Sequence, residues 1–539
     1  MLPFMMAVSV TRRPRSSYGR AYGRRVSVAA AIREAEFYGV WGSVPLDTVG
    51  SVPRYQLVLA RRNMVREITV LQVGQCGNQI GRRFWTELLH ESAQHQDGKC
   101  LNYDTAMSAF FRNVDCRHEP ETQLDVGSEL SSLRARALLI DTEQGVLSET
   151  LRDPLVGDLF KEKQLVKDSD GAGNNWAHGF AVYGPKHQDK IEEATRCALE
   201  ACDSPQAFLC IHSVGGGTGS GLGSFVLELL RDNFPGLCRL SASVYPSGRD
   251  EDVITAPYNA VLATQRLTHA ADCIVPLENH AMQSLSSTRV HAESPQSRRC
   301  GFDEVNDVAA QLLSHLTAGA RYSGRLNIDI NEISTNLVPF APLKYITAGF
   351  APLLAREWET KSWPSGCLYD TATSPGLARQ MPRLFSDACA PPSKLIATPH
   401  VRNSFKASTL ACALFARGNI VFADIVAASE RLRSSFKLPG WNPDGLKVGL
   451  CTVPPLRVSS AVLCLENSTA IARNFENLRA RFNKLHQAKA MLHHYTRYID
   501  ADSIKGALSD LDELISTYNT AFNQPPSLRI RSCSTRKVN

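Results

Sequence analysis

The sequence predicts a layered α/β protein: a first domain on a parallel sheet, a second α/β domain, and a C-terminal helical hairpin. Three observations carry that prediction. The first half alternates short apolar runs with helical stretches, the pattern of strand–helix–strand units around a parallel sheet. Beyond Gly324 the texture changes to short β-rich runs, and from residue 474 to 521 it is helical. The chain has 539 residues, 43% hydrophobic and 21% charged, enough for two or three packed domains and unlike a disordered, collagen-like or disulfide-scaffold composition. No apolar run approaches the roughly 18 residues a membrane-spanning helix needs.

In chain order, residues 65–73 read as a strand, followed by a Gly-rich turn and a helix from about Asn78 to His90. Residues 135–141 read as a second buried strand and 208–213 as a third. A helix is expected over 222–232, with Leu222, Phe225, Val226, Leu229 and Leu230 on one face. Another strand covers 240–245 and ends in the turn chemistry of Pro246-Ser-Gly248. A long helix spans 305–318. In the second domain, 343–347, 395–398 and 461–465 read as strands. Residues 359–375, rich in Ser, Thr, Pro and Gly without a period, read as a loop insertion or retained intron. At the C-terminal end Phe475, Leu478, Phe482 and Leu485 form one helical stripe, and Leu508, Leu511, Leu514, Ile515 and Tyr518 another. There is no internal repeat.

The net charge of +6 is confined to the ends. Residues 1–63 hold ten arginines against three acids, a net +7, and 524–539 hold four bases and no acid. The body, 64–523, has 45 bases against 50 acids, a net −5. The leader reads as a disordered extension ahead of a start at Met64, with an organellar transit peptide as the alternative. The basic tail reads as solvated. Fifteen scattered cysteines with no Cys-x-x-Cys pair argue against a zinc cluster or disulfide framework and for reduced thiols.

The most specific motif is Ser213-Val-Gly-Gly-Gly-Thr-Gly-Ser-Gly221, between a strand and a helix. Consecutive glycines let backbone N–H groups converge on anionic oxygens, and the next helix adds its positive end. The lysine of a P-loop is absent, and the dinucleotide-binding Gly-x-Gly-x-x-Gly turn does not follow the first strand. A second turn, Gly74-Gln-Cys-Gly-Asn-Gln-Ile-Gly81, follows that strand, so the two loops predict a two-sided phosphate cradle. Asp141 and Glu143, at the end of the second strand, are the acids expected to bind Mg2+. Gly171-Ala-Gly-Asn-Asn-Trp176 is a third turn whose amides reach toward a terminal phosphate.

The three glycine motifs, with the loop Gly324-Arg-Leu-Asn-Ile-Asp-Ile-Asn-Glu332, resemble the tubulins in order and spacing over essentially all of 64–523. The glycine loop alone would also admit the bacterial FtsZ proteins. Cys76 with Asn78-Gln79, Asn174-Asn175-Trp176 and Asn336-Leu-Val-Pro-Phe340 look eukaryotic. Within the family the chain looks most like the epsilon class, on Phe110-Phe-Arg-Asn-Val-Asp115, Tyr245-Pro-Ser-Gly, Asp252-Val-Ile-Thr-Ala-Pro-Tyr-Asn259, Leu492-His-His-Tyr495 and a tail that is basic instead of acidic.

The resemblance implies a Rossmann-like GTPase domain over 64–323 and an intermediate domain over 324–466. C-terminal helices over 467–523 and the basic tail complete it. It implies GTP or GDP with Mg2+ in the cradle. Gly74, Gln75, Cys76 and Gln79 would meet phosphate and Mg2+ waters, with Glu143 nearest the ion and Asp141 supporting it. Ala172, Asn174, Ser213, Gly216, Gly217, Thr218 and Gly219 would hold phosphates or ribose. Asn279 and Asn306 would read the guanine edge, Phe302 would stack on the base, and Asp252 would approach the sugar. The usual ribose-contacting glutamate is Ala256 here, and Phe302 replaces the usual tyrosine. Asn327, Asp329 and Glu332 lie on the loop that, in tubulins, completes the neighbouring subunit's site. Asp329 and Glu332 are therefore expected to serve GTP hydrolysis in trans, or simply to cap a helix. The function so implied is a structural tubulin of centrioles, centrosomes and basal bodies, partnered by delta-, alpha- and beta-tubulin and centriolar proteins, with no nucleic acid and no membrane. The alternatives are an alpha-like subunit of cytoplasmic microtubules and an unrelated nucleotide-dependent enzyme, for which no second substrate site is visible.

Overall fold

The computed structural model describes residues 66–96, 102–117, 121–247, 253–290, 302–324, 326–352, 388–389, 394–395, 407–456 and 458–525. The 1–63 extension, Asp252, the 359–375 insertion and the tail beyond 525 lie outside them. Strand β1 (Glu67–Val73) is buried along its length and passes directly into helix α1 (Gly74–His95). The separate turn expected up to Asn78 is therefore absent: Gly74 takes φ +75, a backbone glycine adopts without a Cβ penalty, and completes the reversal alone. α1 buries Phe84 and Trp85 against Phe110 and Phe111; each ring contributes about 1.5–3 kcal/mol of burial.

β2 (Phe111–Asp115), β3 (Thr122–Gln123) and β4 (Ser132–Ala135) make a small antiparallel sheet in the order β3-β2-β4. β5 (Ala137–Asp141) follows after one residue. The single strand expected over 135–141 is thus split at Arg136. Its N–H donates to the Phe110 carbonyl at 2.8 Å, and its guanidinium pairs with buried Glu67 and donates to the Ala201 carbonyl at 2.8 Å. Those bonds hold Arg136 between the two sheets.

Next come α2 (Gly145–Arg152), β6 (Leu165–Lys167), α3 (Gly184–Glu200), β7 (Pro205–Ser213) and α4 (Gly223–Asn233). They lead to β8 (Cys238–Tyr245), α5 (Ala256–Ala270) and β9 (Cys273–Glu278). α4 begins one residue later than expected because Thr218–Leu222 is wound as a wider turn. Six parallel strands run in the order β6-β5-β1-β7-β8-β9. Helices on both faces explain their near-continuous apolar texture. The chain leaves β1 toward β5 on one side and β7 on the other, so the order reverses there. Ligands of such sheets bind outside the carboxyl ends at that switch point.

α6 (Asn279–Val290), α7 (Phe302–Arg321) and α8 (Ile330–Leu337) lead to the second sheet. It is formed by β10 (Thr347–Ala351), β11 (Thr409–Gly418), β12 (Leu446–Cys451) and β13 (Ser460–Ser468), with α9 (Phe422–Ser435) between β11 and β12. The order is β10-β13-β11-β12, with only β11 and β12 parallel. The strand expected over 343–347 starts instead at Thr347. Residues 344–346 are used against β9: Ile274 N–H donates to the Lys344 carbonyl at 2.9 Å and Ile346 N–H to the Ile274 carbonyl at 2.8 Å. Of the strand expected over 395–398 only Leu395 is described, its N–H donating to Ala348 at 2.9 Å.

The C-terminal stretch resolves into α10 (Ile471–Gln487), a short helix Leu492–Thr496, and α11 (Ala501–Thr520). Phe475, Leu478, Phe482, Leu511, Leu514, Ile515 and Tyr518 are buried, and Leu485 and Leu508 half-buried. The helices pack on each other and on α5. They also reach the second domain, where Tyr345 N–H donates to Tyr518 Oη at 3.0 Å and Trp441 Nε1 to the Ala521 carbonyl at 2.9 Å.

One ionic cluster joins the domains from within. Glu91 on α1, Arg321 at the end of α7 and Arg417 on β11 have side chains no more than 4% exposed. Arg321 Nη1 lies 2.7 Å from the Glu91 carboxylate, Arg417 pairs with its other oxygen, and Ser314 Oγ donates to it at 2.7 Å. Burial alone would push the Glu91 carboxyl up. The charges of Arg321 and Arg417 outweigh it and bring the group down to about 2.

Candidate functional site

The carboxyl ends of β1, β5, β7, β8 and β9 open into a crevice of about 430 Å³. β1 and α1 contribute Gly74, Gln75 and Cys76, and the loop after β7 contributes Ser213 and Gly215 to Gly219. Asp141 and Glu143 stand at the β5 end with Asn174 nearby; Asn279 and Gln283 of α6 and Phe302 and Val305 of α7 stand at the β9 end. From β5 to β9 there are four strand spacings of about 4.8 Å, so the two ends are separated by about 19 Å.

The glycines between those ends are in backbone contact. A Cβ on Gly74 would lie 2.8 Å from the Gly219 nitrogen, one on Gly219 2.8 Å from the Ser213 carbonyl oxygen, and one on Gly217 2.7 Å from the Asn175 nitrogen. No side chain fits at these three positions, so the cradle wall is main chain. The first turn of α1, with no acidic residue, adds the N–H groups a helix start leaves unshared. The hydroxyls of Thr142 and Thr218 meet at 2.6 Å and tie the β5 end to the glycine loop.

Beneath the loop sits His212, fully buried. Its Nδ1 is 2.9 Å from the Gly219 carbonyl, which can only accept, so Nδ1 carries the proton and Nε2 accepts from Ser241 Oγ at 3.0 Å. Burial pulls this imidazole down to about 4, so it is a neutral prop and not an acid–base group. The Cys76 thiol faces the crevice but is enclosed on its other sides. Burial pushes it up to about 12, and it stays protonated.

Asp141 is 4% exposed, and its Oδ2 has no hydrogen-bond partner. Burial pushes its carboxyl up to about 6, although the Glu143 backbone N–H, 3.3 Å from Oδ1, works in the other direction. Glu143 is exposed beside it, and a Cβ on Gly171 would collide with its Oε1. An unpartnered buried carboxylate oxygen beside a second carboxylate suits a hard divalent cation. Among the described residues no group of three His, Cys, Asp or Glu side chains is placed to hold a metal. A cation here would therefore complete its shell with phosphate and water.

Gln79, Ala172 and Asn306 do not line the crevice. Gln79 lies one helical turn beyond Gln75 on α1. Ala172 is buried behind Gly217, whose Cβ would meet it at 3.0 Å, and Asn306 is buried on α7 next to Val305. Asp329 and Glu332 lie at the opposite, amino-terminal end of the strands. Asp329 caps α8, accepting from Glu332 N–H at 2.7 Å, pairs with Arg66 at 3.1 Å and accepts from Gln206 Nε2 at 2.9 Å. Gln206 is near the start of β7 and Ser213 at its end, about 23 Å apart at strand rise. Asn327 likewise points back, donating to the Gly319 carbonyl at 2.5 Å.

Sequence reasoning passed over the wall formed by Tyr245, Pro246, Ser247, His280 and Gln283. Gln283 is four residues after Asn279 on one helix, a spacing that could have found it. His212 gave no signal beyond a polar residue in an apolar strand.

The Tubulin/FtsZ family GTPase domain matches residues 67–287, and the Tubulin C-terminal domain matches 342–480. The human tubulin epsilon chain is 41% identical over 492 residues, covering 86% of this chain and 98% of that protein. The mouse tubulin epsilon chain is 40% identical, covering 84% and 95%. The tubulin beta-1 chain of Colletotrichum graminicola is 30% identical, covering 84% and 94%. Among the described residues no helix is long and apolar enough to cross a membrane. With both family domains matched in order and relatives aligned along nearly their whole length, this chain belongs to the tubulin family and is of the epsilon type.

Proposed function

We propose that this chain binds GTP or GDP in the crevice and serves as a structural tubulin of centrioles and basal bodies, supporting doublet and triplet microtubules beside other tubulins. One observation carries the nucleotide reading. Three glycine turns in backbone contact lie midway between an amide-and-aromatic end, Asn279 with Phe302, and a carboxylate end, Asp141 with Glu143. That order suits a base, a sugar and a phosphate chain with its cation.

In this reading Gly74, Gln75, Cys76, Ser213, Gly216, Gly217, Thr218 and Gly219 hold the phosphates, and Asn174 faces the last of them. Gln79 and Ala172 support these loops from behind. The Asn279 amide both donates and accepts toward the guanine edge, with Asn306 behind it. Phe302, 71% exposed, offers an open ring face for stacking. Glu143 and Asp141 hold Mg2+, which when bound neutralises charge on the phosphates. Asp329 and Glu332 act on a neighbour's nucleotide by orienting water, since their own crevice is a strand-length away. The epsilon reading rests on the relatives named above and on the basic tail.

Two experiments test these readings. Nucleotide released by denaturing purified 64–539 is expected to be GTP or GDP at close to one per chain; adenine nucleotide would sink the site. Tagged 64–539 is expected to mark centrioles or basal bodies. Uniform labelling of cytoplasmic microtubules with bare centrioles would favour the alpha-like alternative.

A further inference from the structure

We propose that Asn259 is the positioning residue that locks the phosphate turns to one another and couples the terminal-phosphate end of the crevice to the C-terminal hairpin. The inference rests on the nucleotide reading above.

Asn259 lies on α5 with no exposed surface. Its amide makes every hydrogen bond it can. Oδ1 accepts from Trp176 N–H at 2.8 Å and from Tyr495 Oη–H at 2.5 Å; Nδ2 donates to the Asn174 carbonyl at 2.9 Å and the Gly215 carbonyl at 2.8 Å. A backbone N–H on one side and two carbonyls on the other permit only this orientation of the amide. The four partners come from three places. Asn174 and Trp176 belong to the third turn, Gly215 to the long glycine loop, and Tyr495 to the short helix between α10 and α11.

Asn174 is the point of leverage. It lines the crevice and holds φ 51, a left-handed backbone unusual for a residue with a side chain. Its carbonyl is pinned twice, by Asn259 Nδ2 and by Thr255 Oγ1 at 3.0 Å. Beside it, Asn175 Nδ2 donates to the His494 carbonyl at 2.9 Å, and Tyr258 Oη donates to the Ala490 carbonyl at 3.0 Å. A group that presses on or releases Asn174 therefore shifts the hairpin through one fully satisfied buried amide. His493, His494 and Arg497 on that hairpin face solvent, so the shift emerges on the surface.

The test uses the purified chain with GDP and with a non-hydrolysable GTP analogue, measuring affinity for each and amide exchange over 488–499. Asn259→Asp keeps the acceptor oxygen but turns a carboxylate oxygen toward two carbonyls. It is expected to weaken the GTP analogue relative to GDP by about tenfold or more, the loss of two hydrogen bonds near the terminal phosphate. Wild-type exchange over 488–499 is expected to differ between the two nucleotides, and Tyr495→Phe to erase that difference. An unchanged affinity ratio in a folded Asn259→Asp, or identical wild-type exchange with both nucleotides, overturns the inference. Should Asn259→Asp not fold, the exchange comparison in wild type and Tyr495→Phe still decides it. A wild-type chain that binds no guanine nucleotide removes the functional proposal as well; tight binding with an unchanged ratio removes this inference alone.

Discussion

Replacing Glu91 with alanine is expected to destabilise the folded protein by about 3–5 kcal/mol, read as a lower denaturant midpoint. The substitution leaves the guanidinium groups of Arg321 and Arg417 buried with no countercharge. Several of their nitrogens, Arg321 Nε and Arg417 Nε and Nη1, already lack partners, and the neutral acceptors that remain, the Ser314 and Pro454 carbonyls, carry no countercharge. Glu91→Gln keeps the volume and part of the hydrogen bonding and should fall between wild type and alanine. The same residue sets a pH limb. Its folded carboxyl sits near about 2, whereas a glutamate in the unfolded chain titrates near about 4.3. The stabilisation is therefore complete above the unfolded value and is lost as pH falls from about 4.5 toward 2. That acid limb should be shallower in Glu91→Ala. An equal midpoint at pH 7, or an unchanged acid limb, would show that the cluster contributes nothing net.

Gly74→Val is expected to weaken nucleotide binding by about a hundredfold, while the rest of the fold survives. Two terms add. A β-branched residue at φ +75 is strained by about 1–3 kcal/mol, and a Cβ 2.8 Å from the Gly219 nitrogen must drive the two loops apart. Each 1.4 kcal/mol is tenfold in affinity. Gly145→Ala is the control: nothing lies within 4 Å of the added methyl, so affinity should stay within about twofold. Retention of nucleotide by Gly74→Val would mean that the two loops do not share the ligand.

Much of this was legible because its causes are local. Buried parallel strands leave apolar runs, and a main-chain cradle leaves strings of glycine, so β1, β7, β8 and both loops could be placed from the sequence. The hairpin stripes at Phe475 and Leu511 follow from helical period alone. What escaped depends on partners far along the chain. Arg136 splits a strand because it is drawn to Glu67 and to Phe110. Residues 343–347 lose their register in the second sheet because β9 claims the segment first. The Glu91–Arg417 pair spans 326 positions, and no period or motif links its members. Asn259 shows in the sequence only as the end of an epsilon-like motif, and nothing there tells that three separate segments converge on it.

The strand-length separation between the crevice and the Asp329–Glu332 loop has a consequence for assembly. Two copies related by a two-fold axis would set like against like, crevice facing crevice or loop facing loop. If the acids serve a neighbour's nucleotide as proposed, head-to-tail packing brings one copy's acids to the next copy's crevice, a contact that extends as an open row when its rotation does not close a ring. A row of n copies then mates n − 1 crevices, leaving one gaping at one tip and one pair of acids bare at the other. In such a row, direction would be written into every subunit by the length of a single strand, before any partner protein marked either tip.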